Sequence, residues 1–248
     1  MQRYARHIVL DKIGKAGQKK LLAARVLVVG AGGLGSPASL YLTAAGVGCI
    51  GIIDDDEVGI SNLQRQILYD PDDVGHRKAQ AARKRLERFN PDVTVEIHET
   101  LLTADNAAGI IERYDFVIDG TDNLEAKFLI NDACVAAGKP FVHAGIGTYY
   151  GQVMTCVPRE SPCCRCAFGF SDDYGPRRRG GVIGAVCGVI GSLEALEAIK
   201  YITGAGDLLT GRILTFDALA LEFRTMLLAP RDGKCRACGD TRGEGAPL

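Results

Sequence analysis

Residues 25–66 read RVLVVGAGGLGSPASLYLTAAGVGCIGIIDDDEVGISNLQRQ, from Arg25 to Gln66, and the punctuation of this stretch decides the fold. Val26 to Val29 is an apolar, mostly β-branched run that stops at Gly30-Ala31-Gly32-Gly33-Leu34-Gly35, after which Pro37 and a small-residue helical pattern begin. The spacing predicts strand, glycine turn, helix. A second apolar run, Cys49 to Ile53, ends in Asp54-Asp55-Asp56 and predicts the next parallel strand with carboxylates at its tip. Such a unit suits a nucleotide. Gly30 supplies the tight turn, Gly32 and Gly33 clear side chains from the ligand's path, and free N–H groups at the helix start face a phosphate or ribose. An acid about 20 residues on, here Asp54, accepts ribose hydroxyls. Glycine patterns of this kind also occur in ordinary turns; the flanking strand, helix and acid favour a nucleotide without saying which.

The 248 residues suffice for one α/β domain with a substantial core. With 29 basic and 30 acidic residues, bulk charge gives no basis for a nucleic-acid or membrane-surface role. No run approaches the roughly 18 apolar residues of a spanning helix, and the first residues lead into no signal-peptide core, so a cytoplasmic protein is expected. In that reducing compartment the nine cysteines are expected as ligands, reactive thiols or buried small hydrophobes.

The alternation of strand and helix continues downstream. Residues 1–24 form a leading arm in which Arg3, Arg6 and His7 are expected on a solvated helix face, followed by a helical stretch from Gln18 to Ala24. Ser61-Asn62-Leu63-Gln64-Arg65-Gln66 suits a polar loop over the carboxyl edge of the sheet. Gly75-His76-Arg77-Lys78 opens an amphipathic helix to about Asn90, although the macrodipole disfavours a lysine at that end; a bound anion would resolve the conflict. Val93 to Ile97 is a strand, Thr103 caps a helix from Ala104 to Arg113, and Asp115 to Asp119 is a buried strand. Asp122 then stands as N-cap of a helix to Gly138, or as a carboxylate able to hold Mg²⁺ beside phosphates. Pro140 to Ala144 continues the parallel sheet, and the glycine- and tyrosine-rich stretch to Val157 turns it antiparallel. Gly169 to Gly181, with Asp172-Asp173-Tyr174 and Arg177-Arg178-Arg179, reads as a loop beside the site. A long small-residue helix from Val182 to Tyr201 and strands Ile213–Asp217 and Leu221–Leu227 complete the pattern.

Two CxxC pairs, Cys163 with Cys166 and Cys235 with Cys238, have zinc-knuckle spacing. Four thiolates make a closed tetrahedral Zn²⁺ site that stabilises and leaves no open position for catalysis, and they would tether the tail, residues 228–248, to the middle of the fold. The competing reading is a thioredoxin-like redox pair or stray thiols, and Cys164 is a surplus thiol that could swap into the site.

Taken together, RYARHIVL, GAGGLGSP, IIDDDEV, SNLQRQ, VGHRKA, DGTDN, CxxC, GVIGSLEALEAIK and CRACG resemble, in order and over nearly the whole chain, the ubiquitin-activating-like adenylyltransferases of the MoeB/ThiF/HesA group. The resemblance implies a Rossmann-like, mostly parallel sheet continuing into antiparallel strands, and a single adenylation domain over 1–248. It implies that ATP adenylates the C-terminal glycine of a ubiquitin-like sulfur-carrier protein ending in Gly-Gly, with loss of pyrophosphate, before sulfur arrives from a separate persulfide donor. Molybdopterin, thiamine or related sulfur pathways would use such a carrier. Catalytic roles fall on Arg6, Arg65, Lys78 and Asp122, with Arg6 reaching the partner subunit's site in a homodimer and Asp122 associated with Mg²⁺. Nucleotide contacts fall on Gly30, Gly32, Gly33, Asp54, Asp56, Ser61, Asn62, Leu63, Gln64, Arg65, Lys78, Asp122 and Asn123. The chemistry suits these residues: a carboxylate attacking a phosphate needs positioning and cations, not a general base. One departure stands out. Relatives often carry a cysteine, assigned a thioester or persulfide link, before the GVIGSLEA-like helix; the equivalent position falls near Arg177, and Cys187 lies inside the apolar helix. Adenylation without an obligatory covalent enzyme intermediate is therefore expected.

A nicotinamide-dependent oxidoreductase would share the glycine turn and Asp54 but leave SNLQRQ, Lys78 and the cysteine pairs without roles. A non-catalytic scaffold would not need Arg6, Arg65, Lys78 and Asp122. Within the family the rival is adenylation of a different substrate, a tRNA base or a peptide carboxylate.

Overall fold

The computed structural model describes residues 1–169 and 180–240. The opening stretch folds as it reads: helices α1 (Ala5–Ile8) and α2 (Gly14–Ala23) precede strand β1 (Arg25–Val29), the glycine turn, α3 (Gly35–Ala45) and β2 (Cys49–Ile53). There follow α4 (Lys78–Phe89), β3 (Thr94–His98), α5 (Ala104–Ile111), β4 (Phe116–Asp119), α6 (Leu124–Ala137), β5 (Phe141–Ile146), β6 (Tyr150–Cys156) and α7 (Cys164–Phe168). The long α8 (Gly184–Thr203) and the last strands β7 (Arg212–Asp217) and β8 (Glu222–Leu227) complete the described elements. They build one eight-stranded sheet in the order β3-β2-β1-β4-β5-β6-β7-β8. Pairings from β3 to β5 are parallel and those from β5 to β8 antiparallel, as the change of pattern after Ala144 predicts.

Both faces are covered, and the strands show it by alternating between two cores. Val26 and Val28 pack with α3, α4 and α8 residues such as Leu42, Leu86 and Ile190, while Leu27 and Val29 face Ile111, Phe128 and Cys134 of α5 and α6. This period of two is a consequence of the pleat. The leading arm is less solvated than its charges suggest: Arg3 and Arg6 are exposed, but Tyr4 and Gln18 are buried. The Tyr4 hydroxyl accepts from Asn90 Nδ2, and Gln18 Nε2 donates to the Ala45 carbonyl, which docks the arm on α3 and the end of α4.

Most boundaries shift by a residue or two from the sequence expectation, and three differences have a local cause or are larger. The helix expected from Gly75 begins at Lys78, because Gly75 takes a positive φ and Glu57 pairs with Arg77 in an isolated bridge. The N-cap of α6 is Asn123, whose Oδ1 accepts from the Ala126 N–H at 2.9 Å, so Asp122 is not the cap. Helix α2 starts at Gly14, one turn ahead of the Gln18 expected. Of the loop Gly169 to Gly181, residues 170–179 lie outside the described residues, and with them Asp172, Asp173, Tyr174 and Arg177 to Arg179.

A candidate nucleotide site at the carboxyl edge of the sheet

Strand order reverses between β1 and β4, and a crevice opens beyond the carboxyl ends of strands at such a switch point. Here the two strand tips are glycines that touch. Gly30 has φ +87°, and a Cβ on it would stand 2.9 Å from the Gly120 carbonyl oxygen; one on Gly120 would stand 2.7 Å from the Gly30 oxygen. Only a residue without a side chain fits either position. The cleft above them, about 200 Å³, is lined by the turn, by Asp54 to Asp56 at the tip of β2, by Arg65, Gln66 and Lys78, by Thr100 to Leu102 after β3, and by Thr121, Asp122 and Asn123 after β4.

Asp54 is fixed by backbone: its Oδ2 accepts from the Ala31 N–H at 2.8 Å and its Oδ1 from the Asp56 N–H at 2.9 Å. Burial raises its pKa, opposed by the Lys78 charge and these two hydrogen bonds. Lys78 occupies the first helical position of α4, as its awkward placement predicts, and is buried. Its Nζ bonds Asp56 Oδ2 at 2.9 Å, and that carboxylate is itself largely exposed. Arg65 turns its guanidinium to the Ser61 carbonyl at 3.1 Å, and Asp122 is exposed on the rim. Tyr69 braces the turn by donating its hydroxyl to the Ala31 carbonyl.

The fold therefore brings Gly30, Gly32, Gly33, Asp54, Asp56, Arg65, Lys78, Asp122 and Asn123 to one cleft. Ser61, Asn62, Leu63 and Gln64 do not line it. The Asn62 Oδ1 accepts from the Gly59 N–H, Leu63 packs on the core, and Ser61 and Gln64 are exposed. Arg6 is exposed on α1 and stands outside the cleft of its own chain. Cys187 is fully buried: its Sγ lies 2.9 Å from where a Cβ on Gly33 would be, and burial pushes its thiol pKa up while Arg65 opposes.

Sequence reasoning did not single out the ion cluster beneath the β4 tip. Asp119 is buried; it accepts from Lys127 Nζ at 3.2 Å, from Thr121 Oγ1 at 2.6 Å, and contacts His143 Nδ1 at 3.0 Å. Desolvation would raise its pKa, but Lys127, His143 and Thr121 hold it down to about 2. Lys127 also donates to the Ala144 carbonyl, so the cluster ties β4, α6 and β5 together directly under Thr121 and Asp122. Its helical spacing of four from Asn123 was the available signal, but nothing in the sequence pairs Lys127 with His143. Thr100 to Leu102 were also missed, since they carry no motif.

Away from the cleft, Cys163, Cys166, Cys235 and Cys238 converge with all four sulfurs within 4.8 Å of one another. Nearest separations are 3.4 Å for Cys166–Cys238, 3.7 Å for Cys163–Cys235 and 3.9 Å for Cys163–Cys166. Thiolates about 2.3 Å from a tetrahedral zinc stand about 3.8 Å apart, so the donor set fits a metal of that kind. Cys164 stays outside it, buried, with its N–H on Asn131 Oδ1.

Residues 4–237 match the ThiF family. The chain is 47% identical over 243 residues to the adenylyltransferase and sulfurtransferase MOCS3 of Culex quinquefasciatus, covering 96% of this chain and 55% of that protein. It is 43% identical over 248 residues to the sulfur carrier protein adenylyltransferase of Thermus thermophilus, covering 97% of this chain and 91% of that protein. It thus spans about half the length of the MOCS3 relative. Among solved structures, E. coli MccB with MccA-N7isoASN superposes with TM-score 0.83 at 25% identity, over 91% of this chain and 70% of that one. The chain belongs to the ThiF family.

Proposed function

We propose that this chain is an adenylyltransferase that uses ATP to activate the C-terminal glycine of a ubiquitin-like sulfur-carrier protein. The observation that carries the reading is the cleft itself: a glycine turn and a fixed carboxylate, with Arg65, Lys78 and Asp122 lining the same cleft. The name of the Thermus relative, which matches over most of both chains, supports the choice of substrate.

Asp54 takes the ribose hydroxyls with the lone pairs its backbone bonds leave free. Attack of the glycine carboxylate on the α-phosphate brings negative charges together, so the chain's part is positioning and cationic compensation. Lys78 is poised for this: its bond to exposed Asp56 can be exchanged for a phosphate oxygen, which also relieves a cation at a helix start. Arg65 supplies a second cation, and exposed Asp122, released from capping, would hold Mg²⁺, which would supply further charge compensation for the phosphates. Arg6 is assigned to the partner subunit's cleft in a homodimer. The four cysteines would hold Zn²⁺, which would tether the tail in a single-domain chain. Cys187 is structural, so no covalent enzyme intermediate is needed, and sulfur comes to the acyl-adenylate from a separate persulfide donor.

ATP–pyrophosphate exchange dependent on a carrier ending in Gly-Gly tests the reading. Exchange is expected with such a carrier and abolished when its terminal glycine is removed. Lack of exchange with every Gly-Gly carrier, alongside adenylation of a peptide carboxylate or tRNA base, would replace the substrate.

A further inference from the structure

Gln66 closes the polar loop and is 4% exposed, yet its side-chain amide makes no hydrogen bond to any described residue, and its Oε1 is buried without a partner. Its backbone is fully used: the N–H bonds the Asn62 carbonyl and the carbonyl accepts from Tyr69. Leaving that acceptor oxygen buried and unpaired disfavours folding, a cost that leucine or methionine of similar volume avoids, and the Nε2 end of the amide remains as the group free to donate. The amide is therefore not there to hold the fold.

Its surroundings say what it is for. Gln66 lines the cleft, and its Nε2 lies 3.7 Å from the point a Cβ on Gly32 would occupy. The preceding residue does the same one step along: Arg65 Cδ lies 3.7 Å from the Cβ point of Gly33. Residues 65 and 66 thus stand over the two glycines, an arginine stem and an amide side by side. A group resting on Gly32 and Gly33 meets Arg65 and the start of α3, with Lys78 lining the same cleft, a setting that favours an anion.

We infer that Gln66 is a nucleotide-contacting residue whose side-chain N–H donates to an oxygen of the bound phosphate chain. Within the proposed reaction it holds the phosphate at the glycine turn while Arg65 and Lys78 neutralise it. The inference rests on the nucleotide reading of the cleft, and one experiment separates the two. Affinities of the full chain for ATP and for adenosine are measured for wild type, Gln66→Leu, Gln66→Met and Gln66→Glu, with thermal melting of each unliganded protein. A hydrogen bond to a charged group corresponds to about tenfold or more in affinity. The leucine and methionine variants are expected to lose at least about tenfold for ATP while keeping adenosine binding and melting no lower than wild type. The glutamate variant is expected to lose more than either, since its carboxylate faces the phosphates. ATP binding unchanged in the leucine and methionine variants, adenosine lost in step with ATP, or a glutamate variant no worse than leucine would overturn the inference. Wild type binding neither ligand would instead overturn the nucleotide reading beneath it.

Discussion

Glu194 shows how much a single side chain can be asked to tolerate. It is fully buried in α8 and neither carboxyl oxygen has a hydrogen-bond partner. Burial holds its pKa well above the ordinary 4.5, with Asp119 adding to this and Lys127 opposing. Below pH 4.5 the acid is protonated in both states; as pH rises the unfolded chain releases the proton and the folded chain keeps it, so stability falls with rising pH. Glu194→Gln is expected to remove that loss, leaving a variant about 1–3 kcal/mol more stable near neutrality, with the gap closing towards acid pH. Denaturant titrations across that range would show it; a pH-independent gap would contradict the assignment. Lys127 behaves oppositely. Lys127→Met strips the buried Asp119 of its cation and is expected to cost about 3–5 kcal/mol, with Lys127→Arg restoring much of it. Neither residue was legible as a pair in the sequence: Asp119 and Lys127 are eight apart, but His143 arrives from another strand and Glu194 from α8. Local patterns report periodicity; they do not report which buried charges meet.

At the scale of elements the sequence was far more informative, because the signals are local. The run Val26 to Val29, its stop at Gly30 and the acids after Ile53 each constrain only a few neighbouring residues, and the strands and turn follow from them. Gly30→Ala tests the turn: with φ +87° and Gly120 in contact, it is expected to cost about 1–3 kcal/mol and to weaken ATP binding, read by melting and by titration. Where the expectation slipped, a local competition decided. Asn123 and Asp122 are both good caps, and the one three residues before the Ala126 N–H won. Ser61-Asn62-Leu63-Gln64 reads as a polar site loop, yet much of its polarity is spent on its own turn, as in the Asn62 bond to Gly59. The cleft face of the loop is Arg65 and Gln66.

Across the whole molecule, the sheet carries the candidate nucleotide cleft at its switch point and the cysteine cluster on the face covered by α5, α6 and α7. The two are separate devices. Cys235→Ser, or zinc removal by chelation, is expected to lower stability by on the order of 4 kcal/mol while ATP affinity of the protein that remains folded is kept; elemental analysis and melting check both parts. If Arg6 serves the other subunit, mixing Arg6→Ala with Asp122→Ala protein, each inactive alone, is expected to restore exchange, whereas a cis role predicts none. The central claim concerns chemistry at the cleft, and the most direct measurement is to incubate the protein with ATP, Mg²⁺ and a sulfur carrier ending in Gly-Gly and to look by mass spectrometry for AMP joined to the carrier's terminal glycine. The adduct is expected with wild type and with Cys187→Ala, and about a hundredfold slower or absent with Lys78→Ala. An unmodified carrier under conditions where the protein binds ATP would contradict the account.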